Sequence, residues 1–359
     1  MRSSIGIVRR GRHEESHVES RPRLQDVAVR AGVSLTTASH AFSGRRPVSA
    51  RTKAAVFKAA FDLGFVADAR AEHHSVGLLL RPPEAVPGFA SGTASFAALS
   101  GAVMVALLGA GFSVSSFLTL DDIGDQVGRL DAFVLLHPNR QDEVLRALVR
   151  RGIPTVSYDP DPGEGAFPWW VGPDYAASTQ SMLRHLSDRG ARRPALIVGS
   201  TPNMYMTSIA GLYLQEMRRQ GLAPLIRELD PESARAGGRA AAESLLKLRE
   251  PPDAILTSSG VFAVGAIEAV QTAGGQVPTD LLVACMMDGS VAELSRVPVT
   301  AMRLDVHASA DHVTALLKRR LRGEPPPPLR HRLELELVER ASTFREGAPG
   351  LSGRRSRGA

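Results

Sequence analysis

The sequence predicts a small all-α head followed by a larger α/β body of two lobes built on parallel sheets. Three observations predict it. Apolar residues recur at three- and four-residue spacing in three short runs between Leu24 and Leu63, each followed by Gly. From Val76 the pattern changes to apolar strands alternating with helices, the rhythm of parallel sheets covered on both faces. That rhythm continues for about 270 residues, more than one hydrophobic core usually spans. The third observation is charge. The 359 residues carry a formal net charge of +6. Residues 1–75 hold 13 Lys and Arg against 7 Asp and Glu, and the rest of the chain holds 30 of each.

Each element has a local reason. Residues 1–22 lack periodic apolar positions and read as a disordered extension. Leu24, Val27, Ala28 and Ala31 mark a first helix, and Gly32 ends it as a residue free to take positive φ. Ser34 then stands at an N-cap, where its hydroxyl accepts from an unpaired amide. The second helix runs to about Phe42, with Ala38, Ala41 and Phe42 inward. Gly44 and Pro47 make a loop, and Ser49 caps a third helix, Ala50 to Leu63. That helix buries Val56, Ala59, Ala60 and Leu63 and stops at Gly64. Two short helices joined by a Gly-Val turn, with a third packed on them, follow the helix-turn-helix plan. The second helix presents Leu35, Thr36, Thr37, Ser39 and His40 outward, small enough for close approach to base edges. A basic module on a neutral body is the electrostatic footprint of nucleic-acid binding; a solvated basic face is the alternative.

Residues 67–75 read as a connector. In the body the predicted strands are Val76–Leu80, Phe112–Leu118, Phe133–Leu136, Ile153–Ser157, Ala195–Val198, Ala254–Leu256 and Leu281–Ala284. The predicted helices are Ala94–Leu108, Val144–Arg150, Ala176–Ser187, Ser208–Arg219, Arg235–Leu248 and Ala263–Thr272. Leu333–Leu337 alternates Leu and Glu, as a strand with one wet face does. The tail from Glu346 is rich in Gly, Arg and Ser and reads as disordered.

Several classes are excluded. No run reaches the ~18–20 apolar residues of a membrane helix. The apolar patch Ile5–Val8 is too short for a signal-peptide core, so secretion is not expected. One cysteine, Cys285, allows no internal disulfide and reads as a small buried hydrophobe. No phosphate-binding, dinucleotide, zinc-protease or nucleophile-elbow motif is present. The expectation is therefore no catalytic residue, no cofactor and no metal site. The pair His73-His74 has no third ligand at helical spacing.

Residues Leu24 to Gly64, LQDVAVRAGVSLTTASHAFSGRRPVSARTKAAVFKAAFDLG, resemble the DNA-binding head of the LacI/GalR family of bacterial transcription regulators. Further landmarks follow in order: Gly77-Leu78-Leu79, Leu130-Asp131-Ala132-Phe133-Val134, Gly152-Ile153-Pro154, His185-Leu186 with Gly190, Ala263-Val264-Gly265 and Pro298-Val299-Thr300. Glu336 to Thr343, ELVERAST, resembles the family's closing motif. The resemblance implies a cytoplasmic homodimeric regulator, with repression as the expected sign, reading a palindromic double-stranded operator and having no membrane partner. It implies a head at 23–66, a short hinge at 67–75, a periplasmic-binding-protein-like effector-binding and dimerisation domain at 76–345, and a tail at 346–359. A small-molecule effector, not identified by the sequence, sits between the lobes, and the chain crosses between them near Asp174, Arg303 and Leu333.

By the same resemblance Leu35 and Thr36 occupy the positions that vary with operator sequence. Ser34, Thr37, Ser39, Ser49 and Thr52 resemble phosphate-positioning or capping residues. Arg51 and Lys53 add electrostatic affinity, and Arg70 in the connector can meet phosphate. Three departures stand out. His40 replaces the family's usual Arg and makes one base hydrogen bond at most. The connector reads Phe65-Val66-Ala67-Asp68 and has no Leu before Val76, so minor-groove wedging is not expected. The family's polar effector ligands fall at Ser208, Ser259 and Met287; with Met204 these give a softer, more apolar cleft. A cleft that no longer binds a ligand stays open as an alternative. A solute-binding protein or an α/β enzyme is disfavoured by the basic head and the missing catalytic set.

Overall fold

The computed structural model describes residues 22–43, 46–63, 65, 74–80, 94–119, 121–163, 165, 167–327 and 332–344. The chain divides into two units, residues 1–73 and 74–359.

The first unit holds α1 (Leu24–Ala31), α2 (Leu35–Ser43) and α3 (Ala50–Leu63). Asp26 starts α1 by accepting the Arg23 amide at 2.7 Å. Gly32 ends it at φ 66°, which lets the Val33 amide reach the Ala28 carbonyl at 3.0 Å. Ser34 Oγ accepts the Thr37 amide and Ser49 Oγ the Thr52 amide, each at 3.1 Å, so both predicted caps form. Val27, Ala28, Ala38, Ala41, Val56, Ala59 and Ala60 make the core, with Phe42 and Leu63 half-buried against it. Gly44 and Gly64 lie outside the described residues, as does most of the predicted connector.

The second unit runs β1 (Ser75–Leu80), α4 (Ala94–Gly109), β2 (Ser113–Phe117), β3 (Ala132–Leu136), α5 (Glu143–Arg150), β4 (Thr155–Tyr158), β5 (Trp170–Pro173) and α6 (Tyr175–Asp188). It continues with β6 (Pro194–Gly199), α7 (Met204–Arg219), β7 (Leu225–Leu229), α8 (Ala234–Leu246), β8 (Ala254–Thr257), α9 (Gly260–Thr272), β9 (Leu282–Cys285) and α10 (Ser290–Glu293). It ends with β10 (Thr300–Arg303), α11 (Val306–Leu321), β11 (Arg332–Leu333) and β12 (Glu336–Val338). Two six-stranded sheets result, ordered β11-β5-β4-β3-β1-β2 and β12-β10-β9-β8-β6-β7. All pairs are parallel except β10 with β12. Each sheet is the floor of one lobe, and the fully buried strands β3, β6 and β8 explain the near-continuous apolar runs in the sequence.

The lobes are joined three times: after β5 at Asp174, after β10 at Leu304, and between β11 and β12. Two of these strands are tied together, since Arg332 reaches Asp174 Oδ2 at 2.9 Å and the Asp174 amide donates to the Leu333 carbonyl at 2.9 Å.

The last crossing corrects the sequence reading of Leu333–Leu337 as one strand. It is two short strands, one in each sheet. The alternation of Leu and Glu reports a ribbon passing between two cores, because Leu333 packs on the first lobe while Leu335 and Leu337 pack on the second. Helices α7 and α9 begin a turn earlier than predicted, capped by Asn203 and Ser259. Strands β5, β7 and β10 and helices α10 and α11 were not predicted. For α11 the signal is present: Asp305 caps it, and Ala310, Val313, Leu316 and Leu317 are buried at helical spacing.

Candidate functional site

Two surfaces carry the candidate functional side chains. The first is the outer face of α2. Leu35 is 51% exposed. Ser34, Thr36 and Ser39 are also exposed, and Thr37 and His40 are half-buried. Behind them Ala38 and Ala41 are buried, so the helix has one face in the core and one open to solvent. His40 Nδ1 is buried and has no hydrogen-bond partner among the described residues. Ser49, Arg51 and Lys53 are exposed at the start of α3, with Thr52 half-buried. The hydroxyls of Ser34 and Thr37 lie 2.8 Å apart, as do those of Ser49 and Thr52. Each pair thus holds two polar groups beside a helix N-terminus, where an anion is favoured. Arg70 lies outside the described residues.

The second surface is the cleft between the lobes, at the carboxyl ends of the strands, where ligands bind in open α/β sheets. The segments after β3 and β6 meet there. Asn139 and Asn203 form an isolated antiparallel bridge, and the Arg140 amide donates to the Pro202 carbonyl at 2.7 Å.

On the side of the second lobe, the predicted effector residues fall at strand and helix ends. Met204 opens α7, and Ser208 stands one turn later with its Oγ donating to Met204 Sδ at 3.2 Å. Ser259 accepts the Phe262 amide as the cap of α9. Met287 follows β9 and packs, half-buried, with Met204 and Met206 against the same core. The structure thus brings Met204 and Ser208 into contact, while Ser259 serves its own helix. Next to Met287, Asp288 takes a two-point contact from Arg340 at 2.8 Å. Burial pushes the Asp288 carboxyl up, but Arg340 more than offsets this and holds it below the usual carboxylate range. Burial raises the Cys285 thiol to about 11, so it is no thiolate nucleophile.

On the side of the first lobe lies a cluster that the sequence reading missed. His137 follows β3 and Asp159 follows β4, both at positive φ (51° and 72°). His137 Nδ1 lies 2.7 Å from Asp159 Oδ2, and Tyr175 OH donates to the same oxygen at 2.9 Å. Asp159 is fully buried. The rings of Phe96 and Tyr158 lie 5.7 and 5.3 Å from the His137 ring. Proximity to Asp159 and burial push the Tyr175 hydroxyl well above its ordinary pKa, burial being the larger cause, so it stays a donor. One signal in the sequence points to these residues: His137-Pro138 and Asp159-Pro160 are polar-Pro pairs directly after buried strands.

Among the described residues no helix is long and apolar enough to cross a membrane. Among them, too, no group of three or more His, Cys, Asp or Glu is arranged to hold a metal ion.

Comparison with known proteins gives consistent matches along most of the chain. Residues 23–68 match the model of bacterial regulatory proteins, lacI family, and residues 183–343 match a periplasmic binding protein-like domain. An uncharacterized HTH-type transcriptional regulator in the aml 5' region of Streptomyces limosus is 28% identical over 349 residues, covering 90% of this chain and 94% of that one. A solved complex of the transcriptional regulator CelR with cellobiose is 25% identical, with a TM-score of 0.65, covering 90% of this chain and all of that one. The Lac repressor dimer bound to operator and the anti-inducer ONPF has a TM-score of 0.72 at 19% identity, over 91% of this chain and all of that one.

Proposed function

We propose how this chain, which belongs to the lacI family of bacterial regulatory proteins and is a DNA-binding transcriptional regulator, meets its operator and is switched. It binds as a homodimer, and each protomer lays α2 in the major groove of one half of an inverted repeat. Leu35 offers apolar contact to a thymine methyl, and Thr36 bonds a base edge or a phosphate. Ser34, Thr37, Ser39, Ser49 and Thr52 position the helix on phosphates, and Arg51, Lys53 and Arg70 add charge. His40 makes one hydrogen bond to a base where an Arg would make two.

The observation that carries this reading is the division of α2: Leu35, Thr36 and Ser39 stand exposed together while Ala38 and Ala41 are fully committed to the core. The second copy is supported by α4, where Val105 and Leu108 are 70% and 52% exposed on a helix with no charged residue. The functional division is a head at 23–66, a hinge at 67–75 and an effector-binding and dimerisation domain at 76–345, acting as a repressor in the cytoplasm. A ligand in the cleft changes the relation of the lobes, and only a ligand that prefers one arrangement shifts operator affinity. The likeness to CelR, solved in complex with cellobiose, supports a small-molecule effector.

The test is footprinting and mobility shift on the DNA upstream of the protein's own gene. A specific inverted repeat should be bound at least ~10³-fold more tightly than random duplex at the same salt. Replacing Leu35 and Thr36 by Ala should erase that preference, and Val105→Glu should yield monomers in sedimentation. Equal binding to random duplex by the native protein would overturn the reading.

A further inference from the structure

The two sides of the cleft offer unlike side chains to a ligand. On the second lobe each hydroxyl at the strand ends already has one partner inside the protein. Ser208 donates to Met204, Ser259 caps α9, Ser258 Oγ accepts the Gly199 amide at 3.2 Å, and Tyr205 OH donates to the Ser258 carbonyl. Asn203 Oδ1 accepts the Met206 amide at 3.0 Å. Half-buried beside Ser208 and Ser259 are the thioethers of Met204, Met206 and Met287, which offer no hydrogen bond of ordinary strength. A polyol buried against them would leave hydroxyls without partners, and each unpaired hydroxyl opposes binding.

The first lobe supplies one oriented polar group. Asp159 is fully buried and holds His137 through Nδ1, which makes that nitrogen the donor; Nε2 then accepts from a hydroxyl head when the ring is neutral and donates to a carboxylate head when the ring carries both protons. The His137 side chain keeps 14% of its surface open. Packing by Phe96 and Tyr158 fixes the ring. Beside this pair, Asp159 Oδ1 and Asn139 Oδ1 are buried with no hydrogen-bond partner among the described residues, so the polar bonding here is incomplete within the protein.

We infer that the effector of this chain is a compact, mostly apolar molecule with a single oxygen head group, and that His137 Nε2 takes the head while Met204, Met206 and Met287 take the body. Asp159 is a positioning residue for His137. This rests on the reading of the cleft as an effector site. Thioethers adapt to ligand shape and bind apolar surface well, and one buried polar anchor in an apolar pocket is enough to fix orientation.

A matched series on one ring tests it with the full-length protein: p-cresol, 4-methylbenzoate and p-xylene, with cellobiose as the sugar probe, followed by calorimetry and thermal shift. At least one headed probe, p-cresol or 4-methylbenzoate, should bind ten times or more tightly than both p-xylene and cellobiose. His137→Ala should bring that probe down to the affinity of p-xylene, and Met287→Asp should weaken it while improving cellobiose. Three results would overturn the inference: cellobiose bound as tightly as either headed probe, a head preference that survives loss of His137, or no binding of either headed probe at millimolar concentration. Operator binding measured on the same preparations separates the outcomes. If it persists, only the assignment of the ligand class falls; if it too is missing, the regulator reading falls.

Discussion

A single imidazole joins three segments of the second lobe. His185 on α6 places Nε2 2.9 Å from Thr343 Oγ1, which lies 2.7 Å from Thr300 Oγ1 on β10. Burial lowers the His185 pKa from its ordinary 6.5, and the nearby Glu339 carboxylate only partly opposes this. In the unfolded chain the imidazole takes its proton near the ordinary value, so below that pH the unfolded state binds more protons than the folded one. The stability tied to neutral His185 is therefore fully present above about pH 6.5 and is lost as the pH falls from there toward the lower folded value. Urea denaturation at pH 7.5 and at pH 5 should show a loss of stability in the native protein, and His185→Gln should shrink that loss. An identical loss in the variant would show that other groups carry it. His185 was legible as a landmark because it stands beside Leu186 and before Gly190 in a continuous motif. His137 was not, because its partner Asp159 is 22 positions away and only the pairing of β3 with β4 brings them together.

Elements pack closely only where the side chains between them are small enough. Helices α8 and α9 meet at two glycines. A Cβ on Gly265 would press on the Arg235 carbonyl and come within 2.6 Å of the Arg239 amide nitrogen, and one on Gly238 within 2.6 Å of Phe262 Cα. These are backbone atoms, so no rotamer change relieves the clash and the helices must part. Gly265→Ala should therefore cost about 1–3 kcal/mol by overpacking. Gly211, exposed in the middle of α7, has nothing within 4 Å of such a Cβ, and Gly211→Ala should stabilise by about 0.5–1 kcal/mol. Chemical denaturation of the two variants should give opposite signs, and two equal effects would refute the packing argument. The same contrast explains what could be read in advance. The three head helices were legible to within a residue or two because Ser34, Ser49 and Gly32 act over three or four positions. The starts of α7 and α9 were misplaced because Asn203 and Ser259 precede glycine- or methionine-rich turns without helical periodicity. The β11–β12 ribbon was misread because which lobe each Leu enters is decided by the tertiary crossing.

At the scale of the whole molecule the uneven charge becomes a measurable property. The body is neutral and the excess of +6 lies in the first 75 residues, so contact with DNA phosphates should fall to the head and the residues just after it. Each phosphate neutralised by a cation releases bound counterions, and the logarithm of affinity falls with the logarithm of salt by about 0.9 per contact. Arg51 and Lys53 are exposed at the start of α3, beside the amides that Ser49 caps. Replacing either by Ala should lower the salt slope by about one and weaken every duplex alike. Leu35→Ala should do the reverse: it should leave the slope in place and reduce the advantage of the inverted repeat, because an apolar side chain reads a base without displacing an ion. Fluorescence anisotropy from 50 to 200 mM salt, on one specific and one random duplex, separates the two effects. If Arg51→Ala and Leu35→Ala changed the slope equally, electrostatic grip and sequence reading would not be divided between α3 and α2 as their exposed faces indicate.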